Sequence, residues 1–186
     1  MGKLIHFVHQ SLDGFIEGPN GEFDWPAMGP ELSAHARELT PEGTVFLYGR
    51  KVWDLMSGFW PHAERYSQDP HDLAFAPVWR KAPKVVVSRT LRTADHHTRI
   101  VSENVAAELT ALKDAGHDLV LFGGSELAAH LTEHGVIDEY QVVVHPVLLG
   151  GGRPAFLPAA SRTPLALAET RTFDGRAVLL RHTVGA

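Results

Sequence analysis

Residues 119–127, LVLFGGSEL, run from four apolar positions into two glycines and then into a serine and a glutamate that open a helical pattern. A glycine pair between a strand and a helix leaves free backbone N–H groups beside a helix amino terminus, with no side chain in the way. Such a junction can hold a phosphate group or can simply be a tight turn, and Gly123-Gly124 alone does not decide between them.

Working outward, short β-rich runs alternate with helical patterns. KLIHFV (3–8), TVFLY (44–48), KVVVS (84–88) and DLVLF (118–122) have buried-strand character, whereas PELSAHARELT (30–40), RKVWDLM (50–56), ENVAAELTALKDAG (103–116) and SELAAHLTEHG (125–135) have helical spacing. Ser102 is expected to cap the third of these helices and Gly135 to stop the fourth. Parallel strands need crossover connections, so the alternation predicts a largely parallel sheet with helices on both faces.

After residue 139 the pattern changes. YQVVVHPVLLGGG (140–152), LALAETRTF (165–173) and AVLLRHTV (177–184) read as strands without intervening helices, with Asp174-Gly175 at a hairpin turn. The expected fold is therefore a mixed, mainly parallel α/β sheet finished by antiparallel carboxyl-terminal strands. The Pro- and Gly-richer stretches 18–30 and 58–83 read as long loops.

Composition bounds the function. The chain has 186 residues, 44% hydrophobic and 21% charged, which suits one soluble domain spanning 1–186. No apolar run reaches the roughly 18 to 20 residues that cross a bilayer, and the amino terminus lacks the shape of a secretion signal, so a cytoplasmic protein without membrane contact is expected. The absence of cysteine excludes disulfide and thiolate chemistry. A formal charge of −5 argues against general nucleic-acid binding.

Two further strand ends resemble the Gly123-Gly124 junction in chemistry. In VFLYGRKVWDLM, Gly49 follows a strand, and Arg50 and Lys51 fall in the first turn of a helix. Cations there oppose the helix dipole by a few tenths of a kcal/mol each, unless an anionic ligand reverses the sign or the side chains extend into water. In KVVVSRTLR, Ser88, Arg89 and Thr90 follow the strand. Ligands of open α/β sheets bind at the carboxyl ends of strands, so three such ends offer glycine, hydroxyl and guanidinium groups to a phosphorylated ligand.

LYGRKVWDLM, KVVVSRT, LVLFGGSELAAHL and the amino-terminal VHQSLDGFIEG occur in the order and approximate spacing of the dihydrofolate-reductase-like fold, a three-layer α/β/α architecture. VVVHPVLLGGGRPAF more specifically resembles the reductase domain of the bifunctional deaminase/reductase of riboflavin biosynthesis and its stand-alone relatives, and the similarity covers about residues 3 to 184. The resemblance implies an NADPH-dependent oxidoreductase. It implies that Gly49, Arg50 and Lys51 hold phosphate groups and that Ser88, Arg89 and Thr90 sit at the adenosine end, with Arg89 on the 2′-phosphate. Gly123, Gly124 and Ser125 would cradle the pyrophosphate, with Phe122 and Leu127 packed close by. The backbone around His9 and Ile16 would hold the nicotinamide carboxamide. Arginines at strand ends also suit NADPH over NADH, because no Asp or Glu closes one of these strands to accept ribose hydroxyls.

The proton donor is open at this point. Glu31, and with less support Glu38, lies on the first long helix, where dihydrofolate reductases carry a carboxylate. Asp13 in SLDGF belongs to the pattern of the stand-alone relatives, but an Asp before Gly is equally a turn former. Phe23, Trp25, Trp53 and Trp60 are candidates to line a pocket for a flat heterocycle, and core packing explains them as well. Arg153 and Lys51 are candidates for a substrate phosphate. His130, Glu133 and His134 spell H-x-x-E-H, but the helix is short and begins at the proposed phosphate turn, so no metal site is expected.

Two functional classes follow. One is an NADPH-dependent reductase acting on a small polar heterocycle or carbonyl compound, with 5-amino-6-(5-phosphoribosylamino)uracil as one candidate and dihydrofolate as a weaker one. The other is a nucleotide-binding regulatory protein of the same fold without turnover. The apolar strands late in the chain predict a homodimer, because a sheet edge or face would otherwise be uncovered.

Overall fold

The computed structural model describes residues 1–185. Strands β1 (Leu4–Ser11) and β2 (Phe15–Glu17) precede helix α1 (Pro30–Glu38). Strand β3 (Val45–Gly49) leads into α2 (Arg50–Phe59), a 3-10 turn (Trp60–His62), the single turn α3 (Ala63–Tyr66) and α4 (Pro70–Lys81). Then come β4 (Lys84–Val87), β5 (Thr98–Val101), α5 (Val105–Asp114), β6 (Leu119–Phe122) and α6 (Ser125–Glu133), followed by β7 (Glu139–His145), β8 (Arg153–Pro154), β9 (Leu165–Phe173) and β10 (Ala177–Val184).

Eight strands form one sheet in the order β5-β4-β3-β6-β1-β7-β10-β9, and β2 pairs with β8 in a separate two-stranded ribbon. The six strands from β5 to β7 are mutually parallel; β10 and β9 are antiparallel to their neighbours. The expected mixed α/β sheet with antiparallel carboxyl-terminal strands is thus observed, and Asp174 and Gly175 make the β9–β10 turn with φ of +53° and +64°.

Alternation along each strand divides the core between the two faces of the sheet. Val45, Leu47, Leu119 and Leu121 pack with Leu109 of α5 and Leu127 and Leu131 of α6. Their neighbours Phe46 and Tyr48 join Val86, Trp53 of α2 and Phe75 and Trp79 of α4. Phe7, Val120 and Val143 meet Leu32 of α1 together with Phe173 and Leu179.

Two local expectations are corrected, and one strand was not anticipated. Residues 58–83 are mostly helical rather than a long loop, because Pro70 stands at the start of α4, where its missing N–H costs nothing, and the Asp69 side chain caps that helix by accepting from His71 N–H at 2.8 Å. Ser102 is not the cap of α5: that helix begins at Val105, with Asn104 at the cap position in a left-handed conformation of φ +50°. Strand β5, too short and too polar to stand out, completes the outer edge beside β4. Gly135 does stop α6, with φ +64° and its N–H donated to the Thr132 carbonyl.

Candidate functional site

Because β4, β3, β6, β1 and β7 are parallel neighbours, their carboxyl ends open on the same edge of the sheet. The residues singled out at the three glycine- and hydroxyl-bearing junctions therefore come together. At the end of β3, Gly49 is the amino-terminal flank of α2, and no side chain caps that helix. Arg50 Nε lies 2.9 Å from both carboxylate oxygens of Asp54, and its Nη1 reaches Thr90 Oγ1 at 3.4 Å, which links this junction to the end of β4. Lys51 Nζ is 3.9 Å from Glu126 Oε1 on α6. These are exposed ion pairs of about 0 to 1 kcal/mol, weak enough to exchange for an anionic ligand.

At the end of β4, Ser88 is buried and its Oγ accepts from the N–H groups of Thr90 and Leu91 at 3.2 and 3.0 Å. That hydroxyl shapes the turn. Arg89 is exposed and has no ion-pair partner among the described residues.

At the end of β6 the glycine pair is left-handed, with φ of +57° at Gly123 and +75° at Gly124. A Cβ added at Gly123 would meet nothing within 4 Å, and one at Gly124 would meet only Val52 Cγ2 at 3.7 Å. The glycines are thus required by backbone conformation, and the space above them is open. Gly123 N–H donates to the Phe7 carbonyl, which fastens the turn to β1. No side chain caps α6. Ser125 is buried with its hydroxyl donating to the Pro154 carbonyl at 2.5 Å, while Phe122 and Leu127 belong to the packed interior beneath the junction. A Cβ on Gly49 would lie 3.7 Å from Leu127 Cβ, so the β3 and β6 junctions touch.

The ends of β1 and β7 bring together a pair the sequence reading named only in half. His9 Nδ1 lies 2.8 Å from His145 Nε2, and the rings stack at 5.1 Å. Trp25 stands edge-on to His145 at 5.5 Å and Phe23 edge-on to Trp25 at 6.0 Å. Burial, then the neighbouring His145, lowers the pKa of His9 to about 3; burial, then the charge of Arg176, lowers that of His145 to about 4. Both rings are neutral at pH 7, and one donates to the other. Ile16 lies on β2, which pairs with β8. His145 was missed because a histidine closing an apolar strand has no motif of its own; its signal was its place, opposite Ser11 at the end of β1.

The other candidate residues make the following contacts. The Asp13 carboxylate accepts from the N–H groups of Leu149 and Gly150 at 3.1 and 2.8 Å, and hydrogen bonding from Ser11, then from these backbone groups, holds it below the usual carboxylate range. The Asp13 carboxylate thereby ties the β1–β2 turn to the loop at residues 149–150. Glu31 accepts from Asp174 N–H at 2.5 Å while the Asp174 carboxylate accepts from Glu31 and Leu32 N–H at 2.9 and 3.2 Å, a reciprocal cap between α1 and the β9–β10 turn. Glu38 sits with Lys3, Thr44 and Asp118 along a cleft of about 320 Å³ at the opposite, amino-terminal end of the strands. Trp53, only 4% exposed and stacked on Trp79, is a core residue and not a pocket wall, and Trp60 packs on Phe75. Arg153 is held by Glu17 at 2.6 Å and Glu126 at 3.2 Å. His130 and His134 lie ring to ring at 4.3 Å, but no group of three or more metal-ligating side chains occurs among the described residues.

A mainly parallel sheet with helices on both faces, an antiparallel carboxyl-terminal hairpin and glycine-rich strand ends gathered on one edge defines a dihydrofolate-reductase-like α/β protein. Comparison with known proteins is more specific: residues 2–179 match the RibD C-terminal domain, and the chain belongs to that family. The uncharacterized protein YyaP of Bacillus subtilis (strain 168) is 35% identical over 180 residues, covering 95% of this chain and 92% of its own. Among solved structures, a Shewanella sp. PV-4 protein assigned to riboflavin biosynthesis superposes with a TM-score of 0.78 at 19% identity, covering 99% of both chains. The diaminohydroxyphosphoribosylaminopyrimidine deaminase/5-amino-6-(5-phosphoribosylamino)uracil reductase of Thermotoga maritima superposes with a TM-score of 0.70 at 15% identity, covering 99% of this chain and 57% of its own. At these identities the two structures speak for the fold.

Proposed function

We propose that the protein is an NADPH-dependent reductase that transfers a hydride to a small polar heterocycle or carbonyl compound. The observation that carries this reading is the meeting of two helix amino termini without side-chain caps, those of α2 and α6, with the open left-handed pair Gly123-Gly124 and Arg89, exposed and without an ion-pair partner among the described residues, on one edge of the sheet. Backbone N–H groups at both helix starts would bind the cofactor's phosphates, Arg89 its 2′-phosphate, and the backbone near His9 and Ile16 its carboxamide. NADPH, when bound, supplies the hydride. The residues of the chain bind and orient. Arg50 and Lys51 exchange their exposed carboxylate partners for phosphate, and the neutral His9–His145 pair sets the polarity at the reducing end.

The engagement of both Asp13 and Glu31 with backbone N–H groups favours a second reading, a nucleotide-binding protein of the same fold without turnover. Titration with NADPH followed by tryptophan fluorescence tests what the two readings share. Oxidation of NADPH at 340 nm in the presence of hydride acceptors separates them: turnover supports the first, and saturable binding without turnover the second.

A further inference from the structure

A second cleft, of about 220 Å³, lies between α6 and the segment 155–164 that joins β8 to β9. Tyr140, the second residue of β7, lines it, whereas the proposed cofactor edge is at the other end of that strand, at His145. Five residues of strand separate the two, roughly 16 Å, so the cleft is a place distinct from the carboxyl-edge site. None of the residues lining it carries a charge. Ala128, Ala129, Ala155 and Ala159 leave the space, hydroxyl groups stand beside them, and Tyr140 and Phe156 supply two aromatic rings.

The bonds already made by the hydroxyls fix what they can still do. Thr132 Oγ1 donates its one hydrogen to the Ala128 carbonyl at 2.7 Å, so in its 2.7 Å contact with Tyr140 the tyrosine is the donor. Ser125 likewise donates its hydrogen to the Pro154 carbonyl at 2.5 Å. Burial raises the pKa of Tyr140, so that hydroxyl stays protonated. Lone pairs are what Tyr140 and Ser125 have left, and this wall therefore accepts hydrogen bonds.

Behind the wall is an independent feature. His6 of β1 is fully buried on the strand face that α6 covers, and neither of its ring nitrogens has a hydrogen-bond partner among the described residues. Burial lowers its pKa to about 4 against a weaker pull from the Gly123 backbone, so the ring is neutral at pH 7, with one donor and one acceptor. Native interiors leave few such groups unpaired. The imidazole stands at 81° to the ring of Tyr140 and 84° to that of Phe156, 5.9 Å from each. Phe156 is 48% exposed and outside any helix or strand, so it can turn outward and open the cleft onto the imidazole.

We propose that the cleft between α6 and segment 155–164 binds a small, uncharged aromatic compound of one or two fused rings that carries one hydrogen-bond donor and one acceptor. The ring packs on the alanines with Phe156 turned aside, its donor meets the Tyr140 oxygen, and its acceptor takes the free N–H of His6. Size follows from volume, since drug-sized ligands fill roughly 300 to 1,000 Å³. Neutrality follows from the lining, because an ion would lose its hydration with no opposite charge on the wall to replace it. This site stands independently of the reductase reading.

The test is NMR of protein labelled at alanine methyls and histidine nitrogens, titrated at neutral pH with benzimidazole to the millimolar range. Saturable shifts are expected at the methyls of Ala128, Ala129, Ala155 and Ala159, with a change at the His6 ring nitrogens as they gain a partner. 1-Methylbenzimidazole lacks the donor and indole lacks the acceptor. Each is expected to bind about five- to tenfold more weakly, the effect of one net hydrogen bond, and benzimidazole-5-carboxylate is expected not to bind there. Tyr140→Phe is expected to erase the difference between benzimidazole and its methyl derivative; should that variant not fold, the comparison of probes in the unsubstituted protein decides. Absent or non-saturating shifts at these methyls, an unmoved His6, or equal affinity for benzimidazole and either neutral comparator overturns the proposal. Cleft shifts that appear only in Leu167→Glu also overturn it, because the cleft would then be contact surface between two copies of the chain.

Discussion

At the scale of single residues, Gly123 and Gly124 show what a sequence can and cannot disclose. Their place between strand and helix was legible as a possible phosphate turn; their left-handed backbone and the open space beside them came only with the fold. A side chain at Gly124 would be strained by roughly 1 to 2 kcal/mol and would stand where the pyrophosphate is proposed to approach. Gly124→Val is expected to fold, with a modestly lower melting temperature, and to bind NADPH at least tenfold more weakly by fluorescence titration; unchanged affinity in a folded variant counts against the cradle. The histidines add a pH dependence. His6 and His145 are buried, and burial lowers each from 6.5 to about 4. Between pH 6.5 and about 4 the unfolded chain takes up protons that the folded one refuses, so stability falls as pH falls through this window and is flat with respect to these groups above it. The ceiling is about 1.4 kcal/mol per pH unit for each histidine. Urea unfolding of His145→Phe at pH 7 and pH 5 is expected to show a shallower loss than the unsubstituted protein.

At the scale of elements, strands were the most legible part. β3, β4, β6 and the β9–β10 hairpin announced themselves as apolar runs, bounded by glycine at β3 and β6, by Pro83 and Ser88 at β4, and by Asp-Gly at the hairpin turn. Helix α4 did not, since Pro70 and Pro77 read as breakers when the first in fact starts the helix and the second lies inside it. Caps that come from distant chain are invisible to local reading. Asp174 is the clearest case: 142 and 143 residues from the N–H groups it accepts, it caps α1 and also turns the β9–β10 hairpin at φ +53°. Asp174→Ala loses the cap and strains the turn, and a loss of about 2 to 3 kcal/mol in urea unfolding is expected. Asp174→Gly relieves the turn alone and should fall between the two. Equal stability of all three proteins would mean that Asp174 does neither job. The same pairing engages Glu31, the proton-donor candidate that the resemblance supplies, through the Asp174 N–H.

At the scale of the whole molecule, the sheet ends on β9, whose residues are exposed along nearly their full length, Leu167 to 62% and Leu165 to 43%. An uncovered apolar edge strand invites pairing, and a second copy of the chain is the proposed cover. Light scattering at micromolar concentration is expected to give twice the 20.4 kDa chain mass, reduced toward one chain by Leu167→Glu; a single-chain mass for the unsubstituted protein sinks the dimer. The site is a whole-molecule property in the same sense. Its three junctions are separated by some 35 residues each in sequence and meet only because β4, β3 and β6 lie side by side, which is why its parts were legible and the His9–His145 pair, joined across 136 residues, was half missed. The central claim, an edge built for a cofactor with a 2′-phosphate, is tested most directly by measuring NADPH and NADH affinities of the protein and of Arg89→Ala by isothermal titration. The account predicts a preference for NADPH, and a loss of roughly 1.5 to 3 kcal/mol in NADPH binding with NADH unchanged on substitution. Equal loss for both cofactors, or no NADPH binding at all, would contradict it.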